Sequence, residues 1–215
     1  MKKILAILHF SSGYLKSRIS VLFNQESFIS IAFGRGAIKS FDRAISLNPE
    51  IAGYFCFKGI VCHRLKLYKE SLNNCSKAIE LKPNYYEAYL TRGLVKMHWN
   101  EELKENRFSN YDLYQKDYNE LDSFRGAMQD FDKAIELKPN YFETYLTRGL
   151  EKFHGQDFQG AIMDLTRAIE LKPNLGLAYY WRGQAKSALN DFMPSSNDKD
   201  IKADYVKARK LGIEL

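Results

Sequence analysis

Cysteine is scarce, with three in 215 residues. That is too few for a disulfide scaffold. Proline is scarce too, at five, which excludes collagen-like and proline-rich linker classes. No uncharged run approaches the roughly 18 apolar residues of a membrane span. The longest candidate, Ile4 to Leu15, is short and contains His9. Motifs for chemistry are also missing. There is no phosphate-cradling glycine loop followed by Lys-Ser/Thr, no His-Glu-x-x-His and no Cys-x-x-Cys. Cys62 and His63 are neighbours, but adjacency is not a nucleophile–base geometry. His98 and His154 are equivalent by sequence, yet two histidines without further ligands make no metal centre. The reading is a non-enzyme with no cofactor and no metal.

What is present suits a packed, soluble chain. Hydrophobic residues make up 45%, enough to argue against global disorder. The net charge of +6 is unevenly spread. Residues 1–100 hold 15 basic and 6 acidic residues; residues 101–215 hold 17 and 20. No basic run reaches five, so the charges read as solvated helix faces. An electrostatic binder of nucleic acid or anionic membrane through the basic half is the alternative to that reading.

Self-similarity is the dominant signal. Ala-Ile-Glu-Leu-Lys-Pro-Asn occurs at Ala78–Asn84, Ala134–Asn140 and Ala168–Asn174, with a weaker copy at Ala44–Glu50. The steps between copies are 34, 56 and 34 residues, so one 34-residue unit carries 22 inserted residues. Asn84–His98 and Asn140–His154 agree at 11 of 15 positions. A further copy begins at Tyr179 and carries about six extra residues near Met193–Lys199. Each unit reads as two helices. Tyr145, Gly149 and Phe153 recur four apart; after Gly155–Asp157, the residues Phe158, Ala161, Ile162, Leu165, Ala168 and Ile169 follow the 3.6-residue period. Lys172-Pro173-Asn174 stops the second helix, since proline cannot continue it. Gly59, Gly93, Gly149 and Gly183 occupy one place in the first helix. Glycine there costs about 1 kcal/mol against alanine, so a close backbone approach is expected, with Ala127 and Ala161 opposite.

A 34-residue helix–turn–helix unit bearing Tyr145, Gly149, Phe158, Ala161, Leu165, Ala168 and Pro173 resembles the tetratricopeptide repeat (TPR) family. The units fall at 52–85, 86–141, 142–175 and 176–215. A degenerate unit at 18–51 keeps Ala37, Phe41, Ala44 and Pro49 but has Gln25 where glycine is expected. Residues 1–17 read as a capping helix or a weak signal-like segment. The resemblance implies an all-α, right-handed superhelical solenoid of helix–turn–helix repeats. It also implies a groove lined by the first helices: Cys56, Ile60 and Arg64; Glu87, Leu90, Leu94 and His98; Glu143, Leu146, Leu150 and His154; Leu177, Tyr180 and Gln184. Some family members hold a peptide C-terminal carboxylate with Lys and Asn at groove positions, types missing at most of these places. The implied function is a non-catalytic scaffold binding an apolar or amphipathic protein segment. An accessory subunit of an enzyme complex is another alternative.

Two features depart from the family pattern. Arg92, Arg148 and Arg182 precede the glycine where an apolar residue is usual, and Asp130, Asp164 and Asp204 recur in the second helix. They are expected to pair within repeats as Arg92–Asp130, Arg148–Asp164 and Arg182–Asp204. The insertion, 99–123, contains the cap signal Ser109-Asn110-Tyr111-Asp112, and Tyr111, Tyr114, Tyr118, Leu121 and Phe124 follow at helical steps. It reads as an extension of both helices of its unit, an arm open to partner contact or self-association. The expected partner is a protein or peptide, not nucleic acid or membrane. The segment Met1–Phe10 has a short apolar stretch and no small-x-small cleavage site. The reading is cytoplasmic, with export as the alternative.

Overall fold

A computed structural model describes residues 28–105, 120–192 and 198–214. Residues 1–17, the cap signal at Ser109, the tyrosines Tyr111, Tyr114 and Tyr118, and most of the short insertion near Met193–Lys199 lie outside the described residues.

Nine helices and no strands occur among the described residues: α1 Phe28–Leu47, α2 Ala52–Arg64, α3 Tyr68–Leu81, α4 Tyr86–Glu105, α5 Glu120–Leu137, α6 Phe142–His154, α7 Phe158–Leu171, α8 Gly176–Phe192 and α9 Asp198–Lys210. The chain divides into two compact units, Met1–Leu137 and Lys138–Leu215. In the first, each of α1 to α5 packs on the next, and the first helices α2 and α4 also touch. In the second, α6 to α9 pack likewise, and α6 touches α8. The hairpins α2–α3, α4–α5, α6–α7 and α8–α9 begin at Ala52, Tyr86, Phe142 and Gly176, steps of 34, 56 and 34 residues.

Local chemistry sets the ends of these helices. Lys82 and Lys172, each before a proline, leave the helical region at φ −143° and −142°, as the proline ring demands of its predecessor. Their backbones then accept from Tyr85 and Leu175 at 3.2 Å, and Lys138 accepts from Tyr141 at 3.3 Å. The same turn therefore closes three repeats. Inside the hairpins a different turn recurs. Leu67 N–H donates to Cys62 C=O at 2.9 Å and Asp157 N–H to Lys152 C=O at 2.8 Å, six-to-one bonds that end α2 and α6. The left-handed residues are Lys66 (φ 58°) and Gln156 (φ 64°), so Gly155 is not the one that takes the strained backbone.

Asp157 then caps α7, its Oδ1 accepting from Gly160 N–H at 2.9 Å. An Asp157→Ala variant is expected to lose about 1 kcal/mol of stability by urea unfolding. An unchanged midpoint would remove the cap from the account.

The core is built from alanines and single large side chains. Ala37, Ala44, Ala78, Ala127, Ala134, Ala161 and Ala168 are all fully buried. In the first unit Phe41 and Val61 fill one cluster, and Met97, Ala127 and Phe131 another. In the second unit Leu165, Ile169, Ala178 and Ala185 form the cluster, flanked by Tyr145, Phe153 and Trp181. The helical glycines do sit at close contacts, but the neighbour is not the expected alanine. A Cβ on Gly93 would stand 2.8 Å from Phe131 Cε1, and one on Gly59 2.7 Å from Cys75 Sγ. Opposite Gly93 and Gly149 it is the large residue one turn after the alanine, Phe131 or Leu165, that fills the glycine's space. The inserted unit has lengthened helices, 20 residues in α4 and 18 in α5 against 13 and 14 in α6 and α7.

Candidate functional site

The first helix of each repeat carries two kinds of residue on different faces. One face holds Arg92, Arg148 and Arg182, which point to the second helix. Arg92 Nε and Nη2 donate to Asp130 at 2.9 and 2.6 Å. Arg148 does the same to Asp164 at 2.8 and 2.5 Å, and Arg182 to Asp204 at 3.0 and 2.6 Å. Two parallel bonds from one guanidinium fix both distance and orientation. The aspartates are buried, with side chains 5–6% exposed. Each carries a second cation that the sequence reading misses. Lys96, Lys152 and Lys186 reach the same carboxylates at 2.7, 2.9 and 2.7 Å. Their sequence signal is a lysine four residues after each arginine, one helical turn along the same face.

Arg92 and Arg182 also reach backward. Arg92 Nη1 donates to Ser76 Oγ of α3 at 3.4 Å, and Arg182 Nη1 to Thr166 Oγ1 of α7 at 3.2 Å. Tyr89 and Tyr179 lie beneath these guanidinium groups at 5.5 and 5.4 Å. Arg92 and Arg182 thus each tie their own second helix to that of the preceding repeat. Lys58 occupies the same place in the first full repeat. It pairs with Asp42 of α1 at 2.6 Å, again in the preceding repeat.

The other face holds the expected groove residues. In the second unit Leu146, Leu150 and His154 recur at four-residue steps on α6. Leu146 packs on the core while staying partly exposed, Leu150 is half-buried and His154 is exposed. On α8, Leu177 is 39% exposed and Tyr180 is half-buried, its hydroxyl accepting from Gln184 Nε2 at 3.0 Å. Trp181, unmarked in the sequence reading, joins the two helices. Its ring lies 5.0 Å from Phe153 and 5.7 Å from His154, edge to face in both cases. Glu143 stands in the first turn of α6, half-buried.

In the first unit Ile60, Leu90 and Leu94 are half-buried against the core, and Arg64 is exposed. Glu87 lies in the first turn of α4, its carbonyl accepting from Thr91 Oγ1 at 2.8 Å. Cys56 corrects the expectation. It is fully buried with Ala78 and Ala88, so it presents nothing to a ligand. Cys62 and Cys75 are likewise buried and free. Burial pushes both thiols up to about 12, which leaves them without thiolate character at neutral pH. His98 meets His63 rather than His154. Their Nδ1 and Nε2 atoms are 2.8 Å apart and their rings nearly parallel. Burial, His98 and Arg64 lower His63 to about 4.

Among the described residues no group of three or more His, Cys, Asp or Glu could hold a metal ion. No described helix is long and apolar enough to cross a membrane.

Residues 52–85 match the family model for the tetratricopeptide repeat. Solved TPR-type structures cover nearly the whole chain. A MamA structure superposes with a TM-score of 0.65 at 18% identity, covering 84% of this chain and 89% of its own. Residues 52–85 are a TPR repeat, and the chain has the all-α solenoid fold of these TPR structures. TTC0263, described as a thermophilic TPR protein of Thermus thermophilus, matches at TM-score 0.64 and 16% identity over 93% and 91% of the two chains. YrrB, described as a TPR protein with an unusual peptide-binding site, matches at 0.58 and 16% over 92% of each. These likenesses share the fold. By sequence, serine/threonine-protein phosphatase 5 of Rattus norvegicus is 28% identical over 104 residues, 48% of this chain and 16% of the phosphatase. The chain thus spans about a sixth of the curated relatives it matches. TPR repeats form a generally non-catalytic scaffold for protein–protein interaction.

Proposed function

We propose that the first-helix faces of this TPR chain bind an apolar or amphipathic segment of a protein partner. The observation that carries this is on α6 and α8. There Leu146, Leu150, Leu177 and Tyr180 stay partly exposed on adjacent first helices, while the cations of the same helices are turned inward onto aspartates. The charged groups most able to bind an anionic ligand are therefore already engaged. What the face offers is apolar area with a tyrosine hydroxyl and Gln184 at its edge. A partner segment read by apolar anchors at helical or extended spacing fits it. YrrB, with its peptide-binding site, supports the same use of the fold.

A random-peptide display selected against the full chain tests this. Bound sequences should share apolar anchors, and their retention should change little between low and moderate salt. Leu146→Ser and Tyr180→Ser are each expected to weaken a selected peptide about tenfold, about 1.4 kcal/mol. Met163→Ser, at an exposed position of α7, should leave it unchanged. Selection of anionic peptides that leave with salt would contradict the reading and favour an electrostatic binder.

A further inference from the structure

We propose that two copies of this chain form a closed dimer in which the acidic extension 99–123 of each docks on the basic outer face of α1 and α3 of the other. The extension holds seven acidic and three basic residues. Glu101, Glu102 and Glu105 stand on the last turns of α4, and Glu120 and Asp122 on the first turn of α5. Both stretches lie past Met97 and Phe124, the residues of this hairpin's core nearest the insertion.

The receiving face carries the opposite sign. On α1, Arg35, Lys39 and Arg43 recur four apart and are all exposed, while Ala37, Phe41 and Ala44 of the same helix are buried. Lys66 and Lys69 are exposed where α3 begins. Helices α1 and α3 both pack on α2. None of these five cations makes an ion pair among the described residues. The carboxylates of the two helices are engaged already: Asp42 with Lys58, Glu80 with Lys77 and Glu70 with Cys62 Sγ. In the sequence these cations are scattered and read as solvated charges; helical periodicity sets three of them in one row. The repeat itself does not require them. On α7 the places of Arg35 and Lys39 are held by Gln159 and Met163.

The spacing matches as well as the sign. Four residues of helix rise about 6 Å. The cation row on α1 and the pair Glu101 and Glu105 on α4 share that step, so two helices laid side by side meet charge to charge. One exposed ion pair is worth little. In a two-fold dimer each copy gives its extension and receives the other's, so the whole set of pairs forms twice. The contact uses no residue of the apolar peptide-binding face on α6 and α8.

Sedimentation velocity of the untagged full chain tests this. A dimer at about 50 mM salt should become a monomer at about 500 mM, where screening is strong. The face variant Arg35→Glu, Lys39→Glu, Lys69→Glu should weaken dimerisation at least tenfold. So should the extension variant Glu101→Lys, Glu102→Lys, Glu105→Lys. Mixed in equal amounts, the two variants should dimerise again, because each extension then meets a face of opposite charge in the other chain. Tyr180→Ser, on the peptide face, should leave the dimer intact. A wild type that is monomeric at low salt overturns the proposal. So does a dimer that survives high salt or either variant, or one lost in Tyr180→Ser. Two folded variants that stay monomeric when mixed overturn it too. Should the face variant lose its helical circular dichroism, Arg35→Gln, Lys39→Gln, Lys69→Gln replaces it, and undiminished dimerisation of that chain overturns the proposal.

Discussion

Replacing Asp164 by alanine is expected to cost about 3 kcal/mol of stability in the full chain. The carboxylate is 6% exposed, and it holds Arg148 through two bonds and Lys152 through a third. Removal leaves two cations, 15% and 21% exposed, facing a cavity. Each can recover some water, which keeps the loss at the lower end for a broken buried pair. Asp164→Asn should fall between wild type and alanine, because it keeps the volume and one acceptor. The apolar triple Arg148→Leu, Lys152→Met, Asp164→Leu should come within about 1 kcal/mol of wild type or exceed it, since no charge is then left buried. Urea unfolding at low and high salt measures this series. A buried pair is weakly screened, so the alanine penalty should persist in high salt. A penalty under about 0.5 kcal/mol, or a triple as damaged as the single variant, would show that the clamp does not hold α6 on α7.

Phe131→Ala is expected to cost about 3–5 kcal/mol, the range for a buried phenylalanine truncated in a packed core. Phe131 is fully buried, and it fills the space that Gly93 leaves on α4. The two positions should therefore be coupled. In the wild type, Gly93→Ala gains about 1 kcal/mol in helix propensity but overpacks against a ring that cannot move, at about 1–3 kcal/mol. It should destabilise. In the Phe131→Ala background the clash is gone, so the same change should stabilise by about 1 kcal/mol. A reversal of sign across the cycle is the expected result of direct contact. A Gly93→Ala effect identical in both backgrounds would mean that the glycine serves another purpose.

These two contacts show what the sequence makes legible. The prolines after Lys82, Lys138 and Lys172 mark helix ends because their effect is local steric exclusion. The arginine–aspartate recurrence suggests its own pairing because the partners, 38, 16 and 22 residues apart, hold equivalent places once the inserted residues are set aside. Other features depend on geometry that one repeat does not contain. Lys58 has the neutral Asn74 as its counterpart, and its partner is Asp42, in the repeat before. Lys96, Lys152 and Lys186 do carry a sequence signal, but they read as solvated surface because lysine usually is. Cys56 falls at a groove position by its place in the repeat, yet Ala78 and Ala88 are small enough for its thiol to pack inward. His63 and His98 meet only because successive first helices touch. The left-handed turn goes to Lys66 and Gln156 because its place is set by the end of the helical hydrogen bonding, not by the nearest glycine.

The central claim is that partner segments lie on the first helices rather than the second. Site-directed photo-crosslinking with a display-selected peptide tests it most directly. Benzoylphenylalanine is placed in turn at Leu150 and Gln184 on the first helices. It is also placed at Met163 and Val206 on the second helices, which are 65% and 54% exposed. Crosslinks from 150 and 184, with none from 163 or 206, are the predicted result. Crosslinks from 163 or 206 alone would contradict it.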